Sequence, residues 1–450
     1  MRFETGKVGR QASGAVMLQW ENTIVYSTVC ADRESNPVDF TPLRVDYFAR
    51  YSAVGQTIGA FHRRDSRGDD NEILVARLID RPIRPMIAEG WQHETQILAW
   101  VLSYDKIHSP EPMAICAASA AMCVSEVPLV KPVAGVEVAL VDGNFVVCPT
   151  NEEKAASPLQ LTVAGTKDGI LMIEGFADFI PEATMVEAIA KGHEAIRVIC
   201  DGLSELQSIA GKAKRLDTLR KIPEELLDSM DVLFGEKMVA ALSTGDKQER
   251  GGEVSLVEKE IVQRFCIDSA PSKLKVVDEE VGEVEQDKSE VPIDDDDAVD
   301  DPVAGDERRE DEASELPMNA RISELARRSA EMGYKYDTVD VKICIKKLLV
   351  RSLRTLITST GRRSDGRGRE DVRPISIEST LLPIAHGSAL FTRGETQALA
   401  TATLGSKAME ARIETLDELS TKRFYLQYRF PPSSVGEVGK VGGKFASQRL

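Results

Sequence analysis

One unit occurs twice in this sequence, and that repeat constrains the fold more than any other feature. The stretch Gly387–Thr403 aligns with the stretch that begins at Gly14 when the numbering is shifted by 373 positions (387 minus 14). Each copy contains two strand-like runs joined by a tight polar turn, which predicts a β-hairpin. With the shift enlarged to 381, Ser52–Gly55 aligns with Ser433–Gly436. A unit written twice and far apart predicts two copies of one fold; the alternative is two independent hairpins of similar composition.

The negative charge of the chain is concentrated in one segment. The 450 residues carry a net charge of -17, and residues 278–315 alone hold 19 acidic and 3 basic side chains, a net of -16. The remainder is therefore close to neutral, so the acidic balance does not exclude a nucleic-acid partner. A segment with so few large apolar side chains cannot offset its ordering entropy. We predict a disordered acidic insert at about 277–316.

The seven cysteines show neither CxxC pairs nor histidines at metal-ligand spacing. Most lie in apolar runs such as Val29-Cys30 and Ile115-Cys116. This predicts buried free thiols, a reducing compartment and no metal site. No apolar run approaches the roughly 20 residues that span a bilayer, which predicts the absence of a membrane span.

Changes in apolar periodicity predict three domains. Residues 1–210 alternate strand-like and helix-like segments, which indicates an α+β domain. Residues 211–360 are predicted to form an all-α linker domain that contains the acidic insert and helices at 319–332 and 337–360. Residues 361–450 hold the second copy of the repeat and are predicted to begin a second core.

Turn and cap residues predict the elements of the first domain. Its predicted elements are a β-meander over residues 14–47, a helix from about Asp70 to Arg81, hairpins over Val136–Val147 and Leu159–Glu174, and a helix from about Pro181.

Arginines flank the predicted helix at Asp70–Arg81 on both sides. The preceding loop contains Phe61, Arg63, Arg64 and Arg67. An aromatic ring beside guanidinium groups suits single-stranded nucleic acid, because bases stack on rings and phosphates bind arginine. The alternative is a solvated turn in which the arginines pair with neighbouring aspartates.

Three further arginines surround the end of the same helix. Arg77 and Arg81 lie four residues apart and share one face, and Arg84 follows Pro82. They could converge on a phosphate backbone. They could equally form ion pairs with Asp80 and Glu72.

Longer motifs carry a family resemblance. The second half reads Arg363-Ser364-Asp365-Gly366-Arg367, and later His386-Gly387-Ser388-Ala389-Leu390-Phe391-Thr392-Arg393-Gly394-Glu395-Thr396-Gln397. The first half reads Leu78-Ile79-Asp80-Arg81-Pro82-Ile83-Arg84-Pro85, and Val163-Ala164-Gly165-Thr166 followed by Asp168. These runs resemble the polynucleotide phosphorylase family. The resemblance implies a first ribonuclease-PH-like core at 1–210, an all-α linker at 211–360 and the start of a second ribonuclease-PH-like core at 361–450.

The resemblance also implies an activity. Members of the family are polyribonucleotide nucleotidyltransferases, in which inorganic phosphate attacks the 3′ end of RNA with the help of Mg²⁺. It implies single-stranded RNA as partner and a homotrimeric ring, in a mitochondrion or chloroplast, or alternatively in a cytoplasm. A targeting peptide is not expected at Met1. The residues implied to bind RNA are Phe61, Arg63, Arg64, Arg67, Arg81, Arg84 and Arg393.

The chain departs from the family pattern where chemistry is expected. The catalytic serines and the metal-binding Asp-x-Lys pattern of the family are expected beyond Leu450. In the first core, Gln160 and Thr162 stand at the corresponding places and cannot hold a metal ion as Asp and Lys do. We therefore expect the binding groups for Mg²⁺ and phosphate to be missing from this chain and its activity alone to be absent. The alternative is a non-catalytic RNA-binding or assembly subunit of a ribonuclease-PH-type ring.

Overall fold

The structure is a computed structural model that describes residues 1–57, 70–266, 336–414, 416, 419–436, 438, 448 and 449. The chain forms two compact units, Met1–Ile222 with Arg367–Leu450, and Pro223–Gly366. The predicted helix at 319–332 and the predicted acidic insert lie outside the described residues. The predicted boundaries near residues 210 and 360 remain predictions.

A five-stranded sheet opens the first unit, in the order β1-β2-β3-β5-β4. The predicted meander is wrong at β4, which lies at the edge and pairs parallel with β5 rather than with β3. Seven residues containing Pro37 and Pro42 separate β3 from β4, so no tight turn joins them and the later strand β5 inserts between them. The strands are β1 (Arg2–Thr5), β2 (Gly14–Trp20), β3 (Thr23–Ser35), β4 (Leu43–Ala49) and β5 (His93–Ser103).

Helix α2 (Pro110–Val124) forms the centre of the core. Apart from Glu111 all of its side chains are buried, and most are Ala, Cys, Ser or Met, which lets the helix lie close to the sheet. Gly14 in β2 shows how close: a Cβ built at this position would lie 2.2 Å from the carbonyl oxygen of Ala121. Helix α1 (Asp70–Ile83) packs against β4 and ends two residues later than the Asp70–Arg81 pattern predicts.

A four-stranded antiparallel sheet, in the order β7-β6-β8-β9, covers the other side of α2. The predicted hairpins are confirmed. In the first of them, Asp142 (φ 48°) and Gly143 (φ 78°) both adopt the left-handed region that a two-residue hairpin loop demands. The elements are β6 (Ala134–Val141), β7 (Asn144–Val147), α3 (Asn151–Ala156), β8 (Leu159–Gly165), β9 (Ile170–Ala177) and α4 (Glu182–Ala210).

The two copies of the repeat adopt the same hairpin in the same register. Gly14 faces Val29 in the first copy, and Gly387 faces Ala402 in the second, which is the same pair shifted by 373. Both copies also contain a 3₁₀ turn that ends at a left-handed glycine, Gly55 (φ 70°) and Gly436 (φ 72°). The second copy contains β10 (Ile375–Ser379), β11 (Gly387–Arg393), β12 (Thr396–Ala402), β13 (Ala411–Glu414), β14 (Leu419–Lys422), β15 (Gln427–Tyr428) and β16 (Gln448–Arg449).

The unit Pro223–Gly366 is helical in its described part. It contains α5 (Glu224–Leu242), α6 (Lys247–Phe265) and α7 (Thr338–Thr360). The predicted bounds of α7 are confirmed: the Asp337 side chain accepts a hydrogen bond from the Val339 N–H, and Gly361 (φ 67°) ends the helix in the left-handed region. Among the helices of the described residues, none has the length and apolarity required to cross a bilayer.

Candidate nucleic-acid interface

Described elements lie on both sides of the predicted arginine loop. Phe61, Arg63, Arg64 and Arg67 lie outside the described residues. Before them the chain completes the 3₁₀ turn Tyr51–Val54, and after them α1 begins at Asp70.

Helix α1 presents its arginines on the face opposite the core. Val75 and Ile79 are buried against the sheet, whereas Arg77 and Arg81 lie on the exposed side. The Arg81 Nη1 atom lies 2.6 Å from Glu174 Oε2 in β9, and both side chains are about half exposed. A pair this exposed contributes little to stability, about 0–1 kcal/mol. Arg81 can therefore exchange Glu174 for a phosphate at little cost.

Arg84 has a different role in the structure. Its Nε and Nη2 atoms donate to both carboxylate oxygens of Asp80 at 2.9 and 2.6 Å. Its Nη1 and Nη2 atoms also donate to the backbone carbonyls of Thr41 (2.8 Å) and Leu43 (2.9 Å). The guanidinium thus fastens the start of β4 to the end of α1. Of the two interpretations of the sequence, this geometry favours the ion pair with Asp80.

Arg393 occupies the turn of the repeated hairpin in the second copy. It ends β11 beside Gly394, whose φ of 62° matches the left-handed Glu21 (φ 52°) in the first copy. Its side chain is exposed and has no ion pair with a described residue. Among the described residues, Arg393 shares no hydrogen-bonding or ion-pairing partner with Arg81 or Arg84.

Sequence patterns did not reveal an aromatic patch on the open face of the five-stranded sheet. Phe48 and Trp100 are register partners on β4 and β5 and meet edge to face, with ring centroids 5.6 Å apart. The Arg50 guanidinium lies 4.8 Å from the Phe48 ring centroid, and Trp100 is 44% exposed. Arg50 directly precedes the 3₁₀ turn that leads to the arginine loop. The outward positions of Phe48 and Trp100 are visible in the alternation of each strand, but their proximity depends on the sheet order.

The first core does not fit a Mg²⁺ ion at the places where the family has its metal ligands. The Gln160 side chain donates to the Lys154 carbonyl at 3.0 Å. The Lys154 ammonium lies 3.3 Å from Glu137 and also donates to the Ser109 hydroxyl, so the local carboxylate is already neutralised. Within the described part of the chain, no group of three or more His, Cys, Asp or Glu side chains could hold a metal.

The acidic residue of the first-core motif is likewise engaged in a surface pair. Asp168 accepts a hydrogen bond from Lys131 at 2.6 Å, and this contact lowers the pKa of Asp168 below its usual range. Lys167 pairs with Asp201 on α4 at 2.6 Å. These contacts fix the turn between β8 and β9.

Comparisons with known proteins identify the family of the chain. Residues 1–128 and again residues 371–449 match domain 1 of the 3′ exoribonuclease family, and residues 131–195 match its domain 2. The chain belongs to this family of ribonuclease-PH-like proteins. The repeated match to domain 1 confirms the duplication that the two hairpins predict, and the predicted α+β, ribonuclease-PH-like fold class is confirmed.

Relatives of known name extend the similarity over nearly the whole chain. The chain is 41% identical over 441 residues to the polyribonucleotide nucleotidyltransferase of Protochlamydia amoebophila (strain UWE25), covering 98% of this chain and 54% of that protein. It is 44% identical over 441 residues to the probable chloroplastic polyribonucleotide nucleotidyltransferase 1 of Oryza sativa subsp. japonica, covering 98% and 47%. The chain thus spans about half the length of these relatives.

A solved structure is also similar. A chain of the Archaeoglobus fulgidus exosome with RNA bound to the active site is 17% identical, with a TM-score of 0.36 over 45% of this chain and 87% of that one.

Proposed function

We propose that this chain is part of a polyribonucleotide nucleotidyltransferase, a phosphate-dependent exoribonuclease that shortens RNA from its 3′ end. One observation carries the proposal: 98% of the chain aligns with proteins of that name, and the family's domain 1 occurs in it twice. Mg²⁺ and inorganic phosphate are the cofactor and co-substrate that such an activity requires.

The reaction is a displacement at phosphorus. An oxygen of inorganic phosphate forms a bond to the 3′-terminal phosphorus, and the bond from that phosphorus to the preceding 3′ oxygen breaks. The leaving oxygen takes a proton and becomes the new 3′ hydroxyl, and a nucleoside diphosphate is released. Each cycle requires the strand to be held and then advanced by one nucleotide.

The residues of this chain contribute to holding the strand. Arg81 and Arg393 carry exposed guanidinium groups that can each bind a phosphate through two donors. Phe61, Arg63, Arg64 and Arg67 are proposed to bind the strand by stacking and charge. Arg84 is proposed to act indirectly, because its donors hold the β4 segment to α1.

We propose that the polypeptide of residues 1–450 alone binds RNA and does not catalyse phosphorolysis. The positions Gln160 and Thr162 and the neutralised Lys154–Glu137 pair support this, since they leave the first core without metal ligands. The catalytic groups are proposed to lie in the part of the relatives that this chain does not span.

The proposal extends to assembly and compartment. A ring of three chains is proposed, with RNA passing through its centre. The similarity to a chloroplastic relative supports a chloroplast or mitochondrion, and the similarity to a bacterial relative leaves a cytoplasm as the alternative.

Equilibrium binding of fluorescent oligo(A) tests the proposed RNA site. Arg393→Ala is expected to weaken binding about 3–10-fold, because the contact between the guanidinium group and an RNA phosphate is lost. Arg369→Ala serves as a charge-matched control on the segment before β10. Equal effects of the two variants would refute the assignment of Arg393.

The second candidate, a non-catalytic RNA-binding or assembly subunit, is favoured by one observation, the absence of a metal-binding group in the described residues. The two candidates differ in the effect that this chain is expected to have on full-length chains. A non-catalytic subunit is expected to co-assemble with full-length chains and to raise their affinity for RNA without changing the turnover of each catalytic site.

A further inference from the structure

The helical unit contains a cationic groove that the proposed function does not use. It runs along α7 beside α5, has a volume of about 560 Å³ and is open to solvent. Four of its lining residues are basic, and none of its described lining residues is acidic. The basic lining residues are Lys346, Lys347, Arg351 and Arg354.

The cations form a row and do not converge on one point. They occupy successive turns of α7, and residues three or four apart on a helix are separated by about 4.5–6 Å along its axis. A compact anion would contact only one or two of them. A linear polyanion, with a negative charge on every repeating unit, would contact all of them.

The two arginines of the groove differ in their ion pairs. Arg351 is held by two carboxylates of α5, with Nη1 lying 2.8 Å from Asp231 Oδ2 and 3.6 Å from Asp228 Oδ1. These pairs fix the guanidinium at the wall of the groove. Arg354, one turn further along, has no ion pair with a described residue.

The floor of the groove is apolar, and its described lining residues include no aromatic ring. Leu227 on α5 and Val350 on α7 line it, and Val350 is 49% exposed. Such a floor can contact sugars but offers no stacking platform for bases. Binding here would depend on the phosphate backbone and would be independent of sequence.

We propose that the groove along α7 is an accessory binding site for the phosphate backbone of single-stranded RNA. It lies in the unit Pro223–Gly366 and so is separate from the residues proposed to hold the 3′ end. Its role is to bind the body of a strand and raise its local concentration near the protein. The groove binds RNA and takes no part in the proposed reaction.

Binding of oligo(A) to the full chain at low and moderate salt tests the proposal. Arg354→Glu is expected to lower the affinity about 3–10-fold at low salt, and Arg354→Gln to reduce the slope of log K against log salt by about 0.7. Lys259→Glu on α6 is the matched control, since Lys259 is exposed and does not line the groove. If Lys259→Glu weakens binding as much as Arg354→Glu, the proposal is wrong.

Lysine acetylation read by mass spectrometry gives a local readout. RNA is expected to protect Lys346 and Lys347 and to leave Lys259 reactive. Protection of all three lysines or of none would contradict the proposal. Replacing residues 278–315 by a neutral linker tests the chain's own acidic segment as the occupant. If Lys346 and Lys347 are protected without RNA and this replacement makes them reactive, the groove binds the acidic segment and the proposal fails. Protection of Lys346 and Lys347 by RNA, together with equal effects of Arg393→Ala and Arg369→Ala on binding, would count against the proposed function alone.

Discussion

Asp105 is a single residue that joins two loops of the first core. Its carboxylate accepts hydrogen bonds from the Thr23 hydroxyl (2.9 Å), the Asn22 N–H (3.2 Å) and the Ile107 N–H (3.0 Å). Burial by itself would raise the pKa of Asp105, but these hydrogen bonds outweigh it and the pKa lies below its usual value. A carboxyl group with a lowered folded-state pKa stabilises the fold above its unfolded pKa, and this stabilisation is lost as the pH falls through the folded pKa.

We therefore expect Asp105→Asn to reduce the free energy of unfolding at pH 7 by about 1 kcal/mol. The difference from the unchanged protein should shrink as the pH falls below about 4. Urea unfolding at several pH values measures both quantities. A difference that stays constant over this range would show that Asp105 acts through packing and not through its charge.

Cysteine reactivity gives a second prediction at the residue scale. Burial raises the pKa of Cys116 and Cys200 to about 12 and that of Cys123 to about 11. Cys30 is exposed, because the alternation of β3 turns Val29 inward and Cys30 outward, so the prediction of buried thiols is wrong at this residue. A thiol reagent should label Cys30 first among the seven, and Cys30→Ser should abolish that rapid phase. Rapid labelling that survives the substitution would contradict the lower exposure of the other six cysteines.

At the scale of elements, the segment that follows α4 caps the end of α2. The Lys214 ammonium donates to the carbonyls of Met122 (2.9 Å), Cys123 (3.0 Å) and Ser125 (2.6 Å). Carbonyls at the end of a helix lack the N–H partner that the next turn would supply, although the Met122 carbonyl also accepts from the Ser125 N–H at 3.2 Å. A cation there also complements the helix dipole. Lys214→Met is expected to reduce the free energy of unfolding by about 2–3 kcal/mol.

Thermal unfolding with a matched control checks this cap. Lys191→Met removes an exposed pair with Glu194 on α4 and should cost less than about 1 kcal/mol. Similar losses in the two variants would mean that Lys214 does not cap α2.

Elements whose ends carry clear capping residues are predicted well from the sequence. Helix α7 begins after Asp337 and ends at Gly361, as capping chemistry demands. Strand β4 was misplaced because alternation defines which face of a strand is buried but not which strand lies beside it. The position of Arg84 could not be predicted for the same reason, since two of its acceptors are the backbone carbonyls of Thr41 and Leu43.

At the scale of the whole molecule, the duplication was predictable and the site was predictable only in part. The shift of 373 positions identified the paired hairpins, and the family's domain 1 matches both. Arg81 and Arg393 lie on exposed surfaces, and their contact with RNA stays a proposal. The Phe48–Trp100 patch and the groove along α7 escaped prediction because each depends on tertiary packing.

The nucleotide product of RNA degradation tests the central claim most directly. A chimera of residues 1–436 and the C-terminal portion of the rice relative would supply the catalytic groups that are proposed to lie in the part of that relative that this chain does not span. Given oligo(A), Mg²⁺ and inorganic phosphate, the folded chimera is predicted to release ADP, and residues 1–450 alone to release none. Release of AMP without phosphate, or ADP release by residues 1–450 that is sensitive to Arg63→Ala, would contradict the account.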